Sequence, residues 1–76
     1  FEAQQYEQCI QYGEIILSKE PTWEEAYRLI MWCYFYLENK VAVQKTYERC
    51  EQVLLQQYDI EPMQSTTEIF EKLIKI

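Results

Sequence analysis

Apolar residues recur along this chain at spacings of three and four, interrupted only at prolines and one polar triplet. Tyr6, Cys9, Ile10, Gly13, Ile16 and Leu17 fall on one side of a helix predicted over about residues 1–19, with Glu7, Gln8, Gln11 and Glu14 mostly opposite. Glu20-Pro21 ends it, because the residue before a proline is biased away from the α region. A second helix is predicted over 22–38 and contains the unbroken apolar run Leu29–Leu37. That run is far shorter than the roughly 20 residues a membrane span needs. A helix apolar on all sides must be covered on several of them, so this one is expected at the centre of the fold.

The polar triplet Glu38-Asn39-Lys40 follows, and Asn39 is the expected stop because asparagine tolerates the left-handed conformation. A third helix is predicted over 40–58, with Val43, Tyr47, Cys50, Val53, Leu54 and Tyr58 inward and Lys45, Glu48, Arg49, Gln52 and Gln56 outward. Residues 59–62 connect it to a fourth helix over about 64–75, whose apolar side is Ile69, Phe70, Leu73, Ile74 and Ile76. No useful stretch alternates with period two. The expected fold class is all-α: about four antiparallel helices forming a single domain over residues 1–76.

Local signals refine this picture. Thr22-Trp23-Glu24-Glu25 has the pattern of a capping box at the start of the second helix, and Ser65-Thr66-Thr67-Glu68 offers another, although Pro62 favours an earlier start for the fourth helix. Glu24 precedes Arg28, Glu68 precedes Lys72 and Glu71 precedes Lys75 at the ion-pair spacing of four. Gly13, mid-helix, costs about 1 kcal/mol against alanine. A bulky neighbour, such as an aromatic of the second helix, is expected where its side chain would be.

Composition narrows the function classes. A domain of 76 residues buries only roughly 60% of its unfolded surface, so 16% aromatic residues are more than four short helices can hide. The net charge of −6 has the wrong sign for tracking a phosphate backbone, and no direct nucleic-acid contact is expected. The opening FEAQQYEQ has no basic-then-apolar signal pattern and reads as the interior of a helix, as expected of a piece cut from a longer protein. Cys9, Cys33 and Cys50 have no paired spacing, which points to reduced thiols and a cytoplasmic location.

Catalysis has little to work with. There is no histidine, no glycine-rich phosphate loop, and neither Ser18 nor Ser65 has a histidine base. The acidic pairs Glu24-Glu25 and Glu48/Glu51 are expected as solvated helix surface and N-terminal charge. The cysteine spacing does not fit zinc, and each cysteine falls on or beside an apolar face as a small core residue. No catalytic, cofactor-binding or metal-binding residue is assigned, and no enzyme is expected.

The window Tyr6–Pro21, YEQCIQYGEIILSKEP, resembles the second helix of a tetratricopeptide repeat through Tyr6, Ile10 and Pro21, with Cys9 at the small-residue position. The separation of Pro21 and Pro62 exceeds that repeat's period of about 34 residues. The longer stretch EPTWEEAYRLIMWCYFYLENKVAVQKTYERCEQVLLQQYDIEP resembles the bacterial transcriptional activator domain of antibiotic-regulator-type (SARP-like) transcription factors. Glu20-Pro21, Glu24-Glu25, Ile30-Met31, Val43-Gln44, Tyr47-Glu48, Leu54 or Leu55, and Ile60-Glu61-Pro62 carry the pattern over about residues 6–75. The family's turn glycines are replaced near Glu38-Asn39 and at Asp59, so those turns are expected to be looser or differently shaped.

The resemblance implies a tetratricopeptide-like fold and a bacterial transcription regulator whose DNA-binding domain lies outside this chain. It implies protein partners: that DNA-binding domain, a second protomer in a homodimer, or the transcription machinery. The rival is a generic peptide-binding adaptor or co-chaperone repeat. In such a scaffold the second helix lines a groove. Ala26, Tyr27, Ile30, Met31, Cys33, Tyr34 and Leu37 would face the other helices, and Glu25, Arg28, Leu29, Trp32, Phe35 and Tyr36 would form the protein-binding face. Trp32 is expected to contact something beyond these four helices.

Overall fold

A computed structural model describes residues 3–76 of the chain. Four helices account for most of it: α1 (Ala3–Lys19), α2 (Glu24–Tyr36), α3 (Lys40–Tyr58) and α4 (Gln64–Lys75), with no strand among the described residues. The predicted start of α1 at residue 1 lies outside the described residues. Each helix packs on the next in the chain, and α2 also packs on α4. The helices alternate in direction. At one edge the start of α2 bonds the start of α4, through Met63 N–H and Glu24 Oε1 at 2.9 Å. At the other, Tyr6 of α1 stacks on Tyr36 of α2, and Lys40 Nζ at the start of α3 reaches the Ile74 carbonyl of α4.

Helix α2 is central, as its apolar run requires. One cluster joins α1, α2 and α3 through Ile10, Leu17, Tyr27, Ile30, Cys33, Cys50 and Leu54. A second joins α2, α3 and α4 through Met31, Val43, Tyr47 and Leu73. Fully burying side chains of this size contributes about 1.5–3 kcal/mol each, which is what holds so small a domain together. Gly13 is buried because Ile30 of α2, and not an aromatic, fills its place. A Cβ there would lie 2.7 Å from Ile30 Cγ1. Tyr58, at the last turn of α3, is 60% exposed instead of facing inward. Thr46, a polar residue of the same helix, is buried, its hydroxyl donating to the Ala42 carbonyl at 2.7 Å.

The turns keep a tight form without glycine. Helix α2 stops at Tyr36, with Glu38, and not Asn39, in the left-handed region at φ 60°. The Glu38 N–H donates to the Phe35 carbonyl and the Asn39 N–H to the Tyr34 carbonyl, satisfying the last carbonyls of the helix. Asn39 instead starts α3, its side chain accepting from Ala42 N–H at 3.1 Å. Asp59 takes the left-handed position after α3 at φ 55°.

Neither capping box forms. Helix α2 begins at Glu24 behind Trp23, and α4 at Gln64 behind Met63, both without a side-chain cap. The α1–α2 connection is closed by its backbone, Trp23 N–H to the Glu20 carbonyl, and by the Tyr27 hydroxyl donating to the Pro21 carbonyl at 2.6 Å.

Candidate protein-binding face

The first turn of α2 departs furthest from expectation. Glu24 is not solvated surface: it is 9% exposed, and its Oε1 accepts from the Thr66 hydroxyl at 2.7 Å as well as from Met63 N–H. Arg28, one turn on, donates to the same Thr66 hydroxyl at 2.7 Å and to Ser65 at 3.4 Å. Thr66 is fully buried and bridges the two charges, so the expected Glu24–Arg28 contact runs through it. A carboxylate and a guanidinium in one buried network need such partners, since an unpaired buried charge is costly. Sequence spacing placed the two charges one turn apart but held no sign of the threonine from α4.

This network removes Arg28 from the open face and turns it toward α4. The other residues expected on that face divide by exposure. Glu25, Leu29 and Tyr36 are exposed, while Trp32 and Phe35 are half-buried against the cluster of Met31, Val43, Tyr47 and Leu73. Trp32 is not free of its own chain. It stacks on Tyr36 at 5.8 Å, meets Phe35 edge-on at 6.1 Å, and has Lys72 Nζ of α4 at 5.9 Å from its ring. With Tyr6 stacked on Tyr36 at 5.3 Å, the rings form a continuous band from α1 across α2 to Lys72. A cleft of about 490 Å³ lies beside Phe35 and Tyr36, lined also by Glu38, Lys40 and Ile76.

The remaining charges are spent differently from the i,i+4 pattern. The ion pair among the described residues is Arg49–Glu14 at 2.8 Å, joining α3 to α1 across solvent and worth at most about 1 kcal/mol. Its guanidinium lies 5.6 Å from the Tyr27 ring. Glu68 accepts from Gln64 instead of pairing with Lys72, which is drawn to Trp32. Cys33 and Cys50 sit in the core, where burial pushes their thiols up to about 11 and about 12. Cys9 adds to the rise at Cys33, and Glu24 and Glu51 add to it at Cys50. Such thiols are poor nucleophiles and poor metal ligands near neutrality.

The four helices thus share two proline-marked connections, one acidic first turn on α2 and a core centred on that helix. The sequence model of the bacterial transcriptional activator domain matches residues 1–74. The chain belongs to that family. No curated protein and no solved structure matches the chain significantly. In this bacterial transcriptional activator domain, Glu20-Pro21 and Ile60-Glu61-Pro62 form the connections at one edge, and Tyr47 reaches α4. The Tyr47 hydroxyl bonds Thr67 at 2.8 Å while its ring stacks on Phe70 at 4.1 Å. Among the positions that carried the resemblance, Glu24, Ile30, Met31, Val43, Tyr47 and Leu54 join its helices. No helix of the described residues is long and apolar enough to cross a membrane.

Proposed function

We propose that this activator domain is a non-enzymatic protein-interaction module of a cytoplasmic bacterial transcription regulator, and that its α2 face is the docking surface. The observation that supports this most directly is the band of Leu29, Trp32 and Tyr36, in which Leu29 and Tyr36 are exposed and Trp32 is half-buried, on a helix whose other sides are packed. Tryptophan and tyrosine are the residues that anchor protein interfaces. The half-burial of Trp32 matters, because a ring already held by Phe35 and Lys72 loses little side-chain freedom on binding. The partners that fit are the regulator's own DNA-binding domain, a second protomer, or the transcription machinery, with DNA contacted elsewhere in the parent protein. On this reading the chain is one helical unit within a larger tetratricopeptide-like array. A carboxylate-clamp adaptor is less well supported, since Arg28 is engaged by Thr66 and Ser65.

The test is the double variant Leu29→Ala/Tyr36→Ala in the parent regulator, with promoter output read by a reporter and thermal unfolding of the domain measured in parallel. Tyr36 loses its ring contacts with Tyr6, Trp32 and Phe35, so the domain should be destabilised by about 1–3 kcal/mol yet stay folded while transcriptional output falls. Output unchanged in a folded variant would remove this face from function.

A further inference from the structure

The edge at which α1 and α3 end and α2 and α4 begin carries a second surface, separate from the α2 band. The bond from Met63 N–H to Glu24 Oε1 draws the connections 20–23 and 59–63 side by side. Trp23, Ile60 and Met63 stand out there at 49%, 49% and 57% exposure, so this edge of a very small domain is unusually apolar. Glu20, Asp59 and Glu61 are exposed in the same two connections, which contain no lysine or arginine.

The placement of one of these acids, Asp59, works against the fold. Asp59 lies at the C-terminal end of α3, which has no basic residue in its last turn, and it holds a left-handed backbone there. A negative charge at a helix C-terminus opposes the macrodipole. The nearest cation on α2, Arg28, is held by Thr66 and Ser65. The edge therefore combines an exposed apolar centre with three exposed acids, against which the chain sets one exposed cation, Lys19 in the last turn of α1, leaving a net negative charge.

We propose that this edge docks a cationic protein segment: a Lys- or Arg-bearing stretch with an apolar side chain seated between Trp23, Ile60 and Met63. Charge complementarity selects that occupant. A second copy of the chain would bring the same acidic edge, or a surface of a molecule with net charge −6, against it. A cationic segment neutralises Glu20, Asp59 and Glu61 and covers the apolar centre in one step.

Two tryptophans make the test direct, because Trp23 reports this edge and Trp32 the α2 band. The isotope-labelled chain is titrated with a helical Leu/Lys peptide and with a Leu/Glu peptide of the same pattern, and both indole N–H signals are followed by NMR. The Leu/Lys peptide should shift the Trp23 signal to saturation, leave Trp32 in place, and bind about tenfold more weakly when salt rises from about 50 to about 300 mM. Trp23→Ala should abolish saturable binding. The triple variant Glu20→Gln/Asp59→Asn/Glu61→Gln should bind about tenfold more weakly or worse, while Asp59→Asn alone should melt at a higher temperature, since it relieves the charge at the C-terminus of α3. Equal binding of the Leu/Glu peptide, a shift at Trp32 instead of Trp23, unchanged binding by the triple variant, or a concentration-dependent Trp23 shift without peptide would each overturn the proposal.

Discussion

The Thr66 hydroxyl donates to Glu24 Oε1 across 2.7 Å, fastening the first turn of α4 to the first turn of α2. It also accepts from Arg28 at 2.7 Å, so one uncharged side chain satisfies two charged ones. Thr66→Val keeps the shape and removes both bonds. It should cost about 1.5–3 kcal/mol in urea unfolding, the range for hydrogen bonds to charged groups, with Glu24 still held by Met63 N–H and Arg28 by Ser65. Glu24→Gln retains an acceptor oxygen and should cost less. A neutral Thr66→Val would mean that the network contributes nothing to holding α4.

Gly13 and Ile30 make an opposite case, in which a residue poor for helix stability is required. Gly13→Ala would gain about 1 kcal/mol of helix propensity. It would also place a Cβ 2.7 Å from Ile30 Cγ1 in a fully buried site, where overpacking costs about 1–3 kcal/mol. Net destabilisation of about 1 kcal/mol is expected from chemical denaturation. In an Ile30→Ala background the same change should become neutral or stabilising, and a persistent loss there would refute steric conflict as the cause.

The turn after α2 predicts opposite signs at adjacent residues. Glu38 holds φ 60°, a conformation costing a side-chain-bearing residue roughly 1–2 kcal/mol. Glu38→Gly should therefore stabilise the domain, by up to about 1 kcal/mol after the added freedom of the unfolded chain. Asn39→Ala loses the cap on Ala42 N–H and should cost about 1 kcal/mol. Thermal melts of the two single variants check this. A Glu38→Gly variant that melts lower and an Asn39→Ala variant that melts unchanged would contradict both assignments.

Alkaline pH should weaken the fold through its buried thiols. Cys33 and Cys50 ionise near 9.0 when unhindered, and burial in the fold moves them to about 11 and about 12. Below pH 9 both states carry the proton and these groups add no pH dependence. Above it the unfolded chain releases protons that the folded one keeps, so stability falls as pH rises toward 11 and 12. Each group lowers it by roughly 1 kcal/mol per pH unit within its window. Cys50→Ala should flatten that decline between pH 9 and 11, measured by urea unfolding at each pH under reducing conditions. An unchanged slope would show that Cys50 does not supply it.

Local chemistry by itself determined the number and order of helices, their type, and most of the core. Those follow from periodicity and from proline, and Ile10, Leu17, Ile30, Met31, Cys50, Leu54 and Leu73 lie inside as their spacing requires. What the tertiary structure alone decided is the use of the polar side chains. The sequence around Thr22 and Glu25 favours a capping box, but it cannot register that Glu24 meets the first turn of α4. Arg28 likewise has the spacing of an open-face residue until Thr66, a distant position in the chain, takes its guanidinium. Trp32 sits on the expected side of α2 yet is half-covered, because Lys72 and Phe35 close over it. Apolar burial is set by how often a residue recurs along its own helix. A hydrogen bond is set by a single partner at under 3 Å, and here that partner came from another helix.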